Sequence, residues 1–380
     1  MSIYFIFALS LLHEGSFTAA RVLIVLYAVE QGAQPLTIGI LAATFSIFPV
    51  LLGVQAGRLA DRYGARWPLI SGAAIGMLGL LIPYFFPGLP AIFVAAAMIG
   101  FFDGAFVVTV QSVVGTLSNP QNRARNYSNY TMVTSVAALA GPLIAGYSIE
   151  LAGYRSSCLY LALVLLLPIL IVAFLNDSLR AAVSRATHAK GGARAMLENP
   201  GVRRVLVTSS LMSAANNLYQ FYLPVYAHSI GLSASSIGML LAVNAAATFV
   251  TRMILPQLIS RFNEERVLGY ALFAAAAGLM LIPLFRDTAL LALVSFVFGF
   301  GTGCSGPVII MLMFIHSAEG RSGEGLGLKI TVNHLTKMIS PIAFGALGSA
   351  FGLFPMFWIN GLMMGAAGLM GRRKKRPDAK

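Results

Sequence analysis

The sequence predicts an all-α polytopic membrane protein of twelve transmembrane helices in two pseudo-symmetric six-helix halves. Three observations carry this. The 380 residues are 58% hydrophobic and only 10% charged, with mean hydropathy +0.80, whereas a soluble domain carries about a quarter charged residues. Apolar runs long enough to cross a bilayer recur from end to end. The second half of the chain also repeats the punctuation of the first at one fixed shift.

The elements follow in order. The first predicted helix, 4–28, lacks the basic start of a cleaved signal peptide and carries His13, Glu14 and Arg21 inside it. Helices at 36–57, 68–86, 91–115, 127–149 and 156–175 complete an N-terminal half, 1–175. The segment 176–202 is the one long polar connection. It holds "HAKGGARAMLENPG" and reads as a linker. The C-terminal half, 203–371, has helices at 203–227, 235–258, 267–285, 289–314, 326–349 and 353–371. A basic tail, 372–380, ends the chain.

Charge placement sets the orientation. Arg58, Arg62, Arg66, Arg123, Arg125, Arg261, Arg266 and Arg321 lie in the turns after helices 2, 4, 8 and 10, and the linker and tail are basic. The opposite loops hold only Arg155 and Arg286. By the positive-inside rule both termini and the linker are cytoplasmic, in a cell inner membrane. The net charge of +13 therefore orients spans and predicts no nucleic-acid partner. Cys158 and Cys304 lie in apolar spans and read as small core residues.

A shift of 199 residues carries Tyr27 to Tyr226, Gly32 to Gly231 and Ile38-Gly39 to Ile237-Gly238. It carries Gly100 and Gly104 to Gly299 and Gly303, and Pro142 to Pro341. Parallel repeats of this kind place a substrate site between the halves near the bilayer midplane.

The turn after helix 2 reads "GRLADRYGAR", residues 57–66. This resembles the signature of the major facilitator superfamily, G-x-L-x-D-R-x-G-x-R. With twelve spans, a central linker and basic loops, the resemblance covers the whole chain. It implies a transporter of that fold, in its bacterial twelve-helix form, in which this turn is a conformational latch. Gly57 would let a helix of the other half approach closely. Asp61 would face the positive end of helix 11. Arg62 and Arg66 would pair with acids or lipid phosphate, and Gly64 would permit the turn. On helix 5, "ALAGPLIAGY" (138–147) resembles the Gly-Pro motif of the antiporter branch, with Gly141-Pro142 as a helix kink. Ala137 and Ala145 stand where glycines are usual, and Gly100 stands where helix 4 usually carries an arginine.

Polar residues inside the spans mark the expected site, since an ionisable group in a membrane helix tends to face the protein interior or a water-filled cavity. On helix 1, Ser10, Glu14, Thr18 and Arg21 share one face. The repeat carries them to Ser209, Ser213, Asn217 and Gln220 on helix 7, all polar again. Helix 4 adds Asp103, helix 8 adds Asn244, Thr248 and Arg252, and helix 11 adds Lys329, Asn333, Lys337 and Ser340. Asp103 is expected either to pair with Lys337 or to carry a proton. Lys329 is expected to snorkel to the interface. His13 and His334 lie about 100° round the helix from the polar faces and are expected to point elsewhere. Tyr219, Phe221 and Tyr222 are expected to pack between helices or against a ligand.

The expected substrate and proton pathway is thus Glu14, Thr18, Arg21, Asp103, Asn217, Gln220, Arg252, Asn333 and Lys337. Its bases outnumber its acids, which predicts an organic anion as the substrate, moved across the membrane by alternating access and coupled to protons through a buried carboxylate. The alternative is proton-driven efflux of amphipathic compounds. An intramembrane enzyme or receptor is the least favoured reading: H-E-x-x-H and G-x-x-x-x-G-K-[ST] are absent, and His13-Glu14 cannot share a helix face. The expected partners are a small-molecule substrate, protons and the lipid bilayer. No cofactor or metal is predicted, and the chain is expected to be monomeric.

Overall fold

The computed structural model describes residues 3–118, 123–174, 197–317 and 322–372. Helices α1 (Ile3–Glu30), α2 (Pro35–Tyr63), α3 (Arg66–Phe85), α4 (Leu89–Thr116), α5 (Arg123–Val164) and α6 (Leu166–Phe174) build the first half. Helices α7 (Pro200–Ser229), α8 (Ala234–Phe262), α9 (Glu264–Leu281), α10 (Thr288–His316), α11 (Ser322–Phe351) and α12 (Leu353–Arg372) build the second. By length and composition, seven stretches of the described residues are long and apolar enough to cross a membrane. Two shorter apolar stretches, Pro35–Leu51 and Leu353–Leu369, add to them. The exposed Leu78, Leu163, Met253 and Leu293 belong to the belt that lipid covers.

One predicted boundary needs correcting. Spans five and six, expected at 127–149 and 156–175, run together as α5 and α6. The chain reverses at a single residue, Gly153, with φ 77°. Only a residue without Cβ takes that conformation at no steric cost, so a one-residue turn replaces the expected loop. Its repeat mate Gly352 does the same between α11 and α12, at φ 83°. Gly64, between α2 and α3, is also left-handed at φ 80°, as the resemblance implied. Its mate is Asn263 at φ 60°, among the described residues the one side chain held at positive φ. Asn tolerates this because its amide bonds locally: Oδ1 accepts from Arg266 N at 3.2 Å and caps α9.

Helix starts are capped by sequence-local groups elsewhere too. Asp287 Oδ1 accepts from Ala289 N and Leu290 N at 2.9 and 3.0 Å, and Asn199 Oδ1 from Gly201 N at 2.8 Å. Helix α2 lacks such a cap. Gln34 precedes Pro35 and makes no side-chain bond. The first-turn N–H of Leu36 is taken instead by Ser349 Oγ of α11, at 2.9 Å, from the other half. The repeat reproduces this between α5 and α8, where Ser235 N donates to Glu150 Oε2 at 3.2 Å.

These contacts belong to the seal between the halves. Helix α2 packs along α11, and α5 along α8. A Cβ on Gly39 would run into the carbonyl of Pro341, and one on Gly238 into the carbonyl of Pro142. The two glycines are repeat mates, and so are the two prolines. Close helix approach at glycine is what holds such interfaces together in lipid, where no hydrophobic drive exists between helices. Within each half the pattern recurs. Gly100 packs against the backbone of Phe45 and Gly104 against Pro49, while Gly299 packs against Asn244 and Gly303 against Thr248. The repeat read from sequence is thus a repeat of contacts.

Candidate functional site

A cavity of about 600 Å³ lies between the halves. Its walls are α1, α4 and α5 from the first half and α7, α8, α10 and α11 from the second. The lining runs from Arg21, Pro142, Gln220 and Leu241 deep inside to Gln111, Tyr130, Arg252, Ser209 and Lys329. The last group lies toward the helix ends on the face where α1 begins and α12 ends. The cavity therefore opens on that face, and the α2–α11 and α5–α8 seal closes the opposite one.

Of the nine predicted pathway residues, the cavity gathers Glu14, Thr18, Arg21, Asp103, Gln220, Arg252, Asn333 and Lys337. Asn217 is the exception. It is buried beside the cavity, and its Nδ2 lies 3.4 Å from the carbonyl of Lys337. That carbonyl needs a donor because the residue four positions on, Pro341, has no N–H. Asn217 thus repairs a helix and does not line the cavity.

Arg21 forms the floor. Its Nη2 donates to Gln220 Oε1 at 2.9 Å, joining two repeat-related residues across the halves. Phe17 and Phe221 flank the guanidinium, with ring centroids 5.6 and 5.9 Å away. Its buried Nε has no hydrogen-bond partner. Arg252 is engaged differently: Nη1 donates to Ser135 Oγ at 2.6 Å and reaches the carbonyl of Thr131 at 3.5 Å, so it braces α8 against α5. Asn333 accepts from Ser209 Oγ at 2.9 Å. Thr18 returns its hydroxyl to the carbonyl of Glu14 on its own helix at 2.7 Å.

Several expectations change here. No ion pair joins Asp103 to Lys337 among the described residues. Asp103 Oδ1 instead lies 3.6 Å from His13 Nε2. His13 does point away from Glu14, as expected, but it points at Asp103. Lys329 and His334 both line the cavity, where sequence placed one at the interface and the other elsewhere. Their repeat mates Tyr130 and Ser135 also line it, a correspondence that could have found them. Tyr219 is a packing residue, stacked on Phe298 with centroids 4.6 Å apart. Tyr222 Oη lies 2.7 Å from the carbonyl of Pro341 and 3.2 Å from that of Pro35.

The latch turn is partly described. The backbone of Gly57, Asp61 and Arg62 belongs to α2, and their side chains lie outside the described residues. Among the described residues, Arg66 pairs with no acid and with no residue of the other half. Its Nη2 donates to the carbonyl of Ala173 at 2.9 Å, at the end of α6. A cation there complements the negative end of the helix dipole. Gly141 sits where α5 crosses α1, and a Cβ would collide with Thr18 Oγ1 and the carbonyl of Gly15. Pro142 follows within the helical stretch before Gly153. Gly141 thus serves close packing between α1 and α5, a role the sequence reading did not give it.

Comparisons with known proteins agree with this architecture. A family model described as "Major Facilitator Superfamily" matches residues 6–336. The chain is similar to "Solute carrier family 67 member A1" of Homo sapiens, 26% identical over 350 residues, which cover 86% of this chain and 81% of that protein. It is similar to "Multidrug resistance protein MdtG" of Dickeya zeae (strain Ech586), 23% identical over 344 residues, covering 87% and 83%. Among solved structures, nucleoside transporter NupG superposes with TM-score 0.82 at 15% identity, covering 99% of this chain and all of that one. A bacterial homolog of the human lysosomal transporter Spinster, in an inward-facing and occupied conformation, superposes with TM-score 0.78 at 13% identity, covering 98% and 97%. At these identities the structures establish the fold alone.

Proposed function

This chain belongs to the Major Facilitator Superfamily, and from that premise we propose a secondary active transporter that moves a small organic anion by alternating access, coupled to protons. The observation that carries the anion reading is the cavity floor. The Arg21 guanidinium is flanked by Phe17 and Phe221, hydrogen-bonded to Gln220, and among the described residues left with an unpaired Nε. A buried cation with unused donors favours a carboxylate or phosphate that completes them. The lining carries four Arg and Lys side chains, Arg21, Arg252, Lys329 and Lys337, and the imidazole of His334, against two acids, Glu14 and Asp103. Glu14 or Asp103 carries the proton in this reading. The turn holding Gly57, Asp61, Arg62 and Gly64 acts as the latch on the open face. That face is the cytoplasmic side of a cell inner membrane, and the chain works as a monomer.

The test is binding and flux together. Arg21→Gln and Lys337→Gln each remove a charge-assisted contact of ~1.5–3 kcal/mol, so anion affinity should fall roughly tenfold to hundredfold. Glu14→Gln or Asp103→Asn should abolish pH-driven flux while sparing substrate exchange, which moves no net proton. A thermal-shift screen against anions, cations and neutral drugs identifies the ligand, because binding to the folded state raises apparent stability. Unchanged affinity for every anion in both cation variants would overturn the anion reading. A second reading, export of amphipathic compounds, draws on the similarity to a protein named for multidrug resistance and on the aromatic floor. Stabilisation by neutral or cationic drugs alone would favour it. Orientation is tested by a cysteine at Gln34, which should label from outside intact cells, and one at Thr187, which should not.

A further inference from the structure

Behind the cavity wall, α1 and α4 enclose a second titratable group. His13 is 2% exposed. Its ring lies parallel to Phe106 with centroids 4.0 Å apart, and meets Phe102 at 4.6 Å and 64°. Phe102 and Phe106 are one helical turn apart on α4, so they grip the imidazole from two sides and fix its plane. Asp103 lies between them in sequence. The gripped ring aims Nε2 at Asp103 Oδ1 across 3.6 Å, slightly beyond hydrogen-bond length. Nε2 is buried and has no hydrogen-bond partner among the described residues.

A buried ring nitrogen without a partner is costly, and so is an ionised carboxylate without a donor. For the enclosed Nε2 the acceptor at hand is the Asp103 carboxylate, itself a quarter exposed on the cavity side. Among the described residues, the surroundings offer His13 no competing charge. On α1 itself, Glu14 and Arg21 turn to the cavity. Helix α5 packs most heavily on α1 and brings the uncharged stretch 135–142, with Ala137 and Gly141 against Gly15. Helix α2 brings Phe45 against Phe17, α6 is wholly apolar, and α7 meets α1 through Gln220 at Arg21. From α4 the charged group is Asp103. Lys337 of α11 shares the cavity with Asp103 but not the enclosure of His13.

We propose that His13 is a positioning residue for Asp103: its Nε2–H closes onto the carboxylate when the helices tighten, and so makes Asp103, not Glu14, the acid that loads the coupled proton. This rests on the proton-coupled reading above and chooses between its two acids. The proton enters Asp103 from the cavity. On protonation the carboxyl releases Nε2–H, and on deprotonation the imidazole recaptures the ionised oxygen. No other group changes its bonding.

The test is His13→Phe, which preserves the aromatic packing and removes the donor, beside His13→Gln, whose amide N–H reaches the same oxygen. Two readouts are taken in proteoliposomes: the pH midpoint of driven flux, and the infrared band of the Asp103 carboxyl, assigned by its loss in Asp103→Asn. His13→Phe should displace the carboxyl band and move the flux midpoint toward alkaline pH by about one unit, the effect of losing one hydrogen bond to a charged group. His13→Gln should restore both. If His13→Phe fails to fold, nitrogen NMR of His13 in the wild type and in Asp103→Asn decides, with a change in the Nε2 resonance expected. An unmoved carboxyl band, an unmoved Nε2 resonance, or displacement that His13→Gln does not restore would overturn the proposal. A displaced and restored band without any pH-driven flux would keep the pair and overturn proton coupling instead.

Discussion

Two buried side chains show how a polar group in a membrane helix acquires its role from the backbone beside it. Asn217 lies beside the cavity but is spent on the Lys337 carbonyl that Pro341 leaves without a donor. Asn217→Ala should therefore cost stability, about 1–3 kcal/mol for a buried acceptor left unpaired, and leave anion affinity unchanged. Thermal unfolding and ligand titration of one variant separate the two effects. A loss of affinity equal to that of Arg21→Gln would return Asn217 to the binding site. Tyr222 holds α7 against the carbonyls of Pro35 and Pro341. Tyr222→Phe should lower stability by about 1 kcal/mol, read as a lower midpoint of thermal unfolding, because its ring remains packed and only the bridge between α2 and α11 is lost.

At the scale of helices, small residues set the distances. Gly39 and Gly238 bring α2 onto α11 and α5 onto α8 so closely that a Cβ would strike backbone, which no rotamer change relieves. Gly39→Leu or Gly238→Leu should force these pairs apart and shift the protein toward the state open on the opposite face. Spin-label distances across that face would record it, and an unchanged distribution would mean that the seal rests on other contacts. This layer of the fold was legible in the sequence, because a shift of 199 residues aligned the same glycines and prolines. Helix membership of the cavity residues was legible too, since each polar face follows from the periodicity of its own helix. What periodicity leaves open is the neighbour opposite. His13 was correctly turned away from Glu14, but one sequence does not say that α4 stands there with Asp103. Lys329 was assigned to the interface because its long stem permits it, yet it lines the cavity. Asn217 failed the same way: its face was right, and the proline that claims its amide lies on another helix.

At the scale of the molecule, closure on the far face uses two repeat-related helix caps of unequal chemistry. Ser349 caps α2 with a neutral hydroxyl, and Glu150 caps α8 with a carboxylate at the positive end of a helix. Glu150→Ala should open that face more than Ser349→Ala does, and added salt should weaken the contribution of Glu150 alone. Accessibility of a reporter cysteine at Ser213 to an impermeant reagent from outside measures both. Equal responses at low and high salt would make the two caps equivalent. The cavity floor carries the same inequality to the centre. Arg21 and Gln220 are repeat mates in direct contact, so the pair sits on the pseudo-two-fold axis, where every residue confronts its own counterpart. Two identical subunits would set arginine against arginine or glutamine against glutamine there: a repelling pair of cations, or no charge at all. A single central cation requires that the duplicated halves have diverged at this one position. Fusion into one chain permits that divergence and a pair of identical protomers does not, so the floor has a handedness, and a solute with a charged head and an uncharged tail meets it in one orientation.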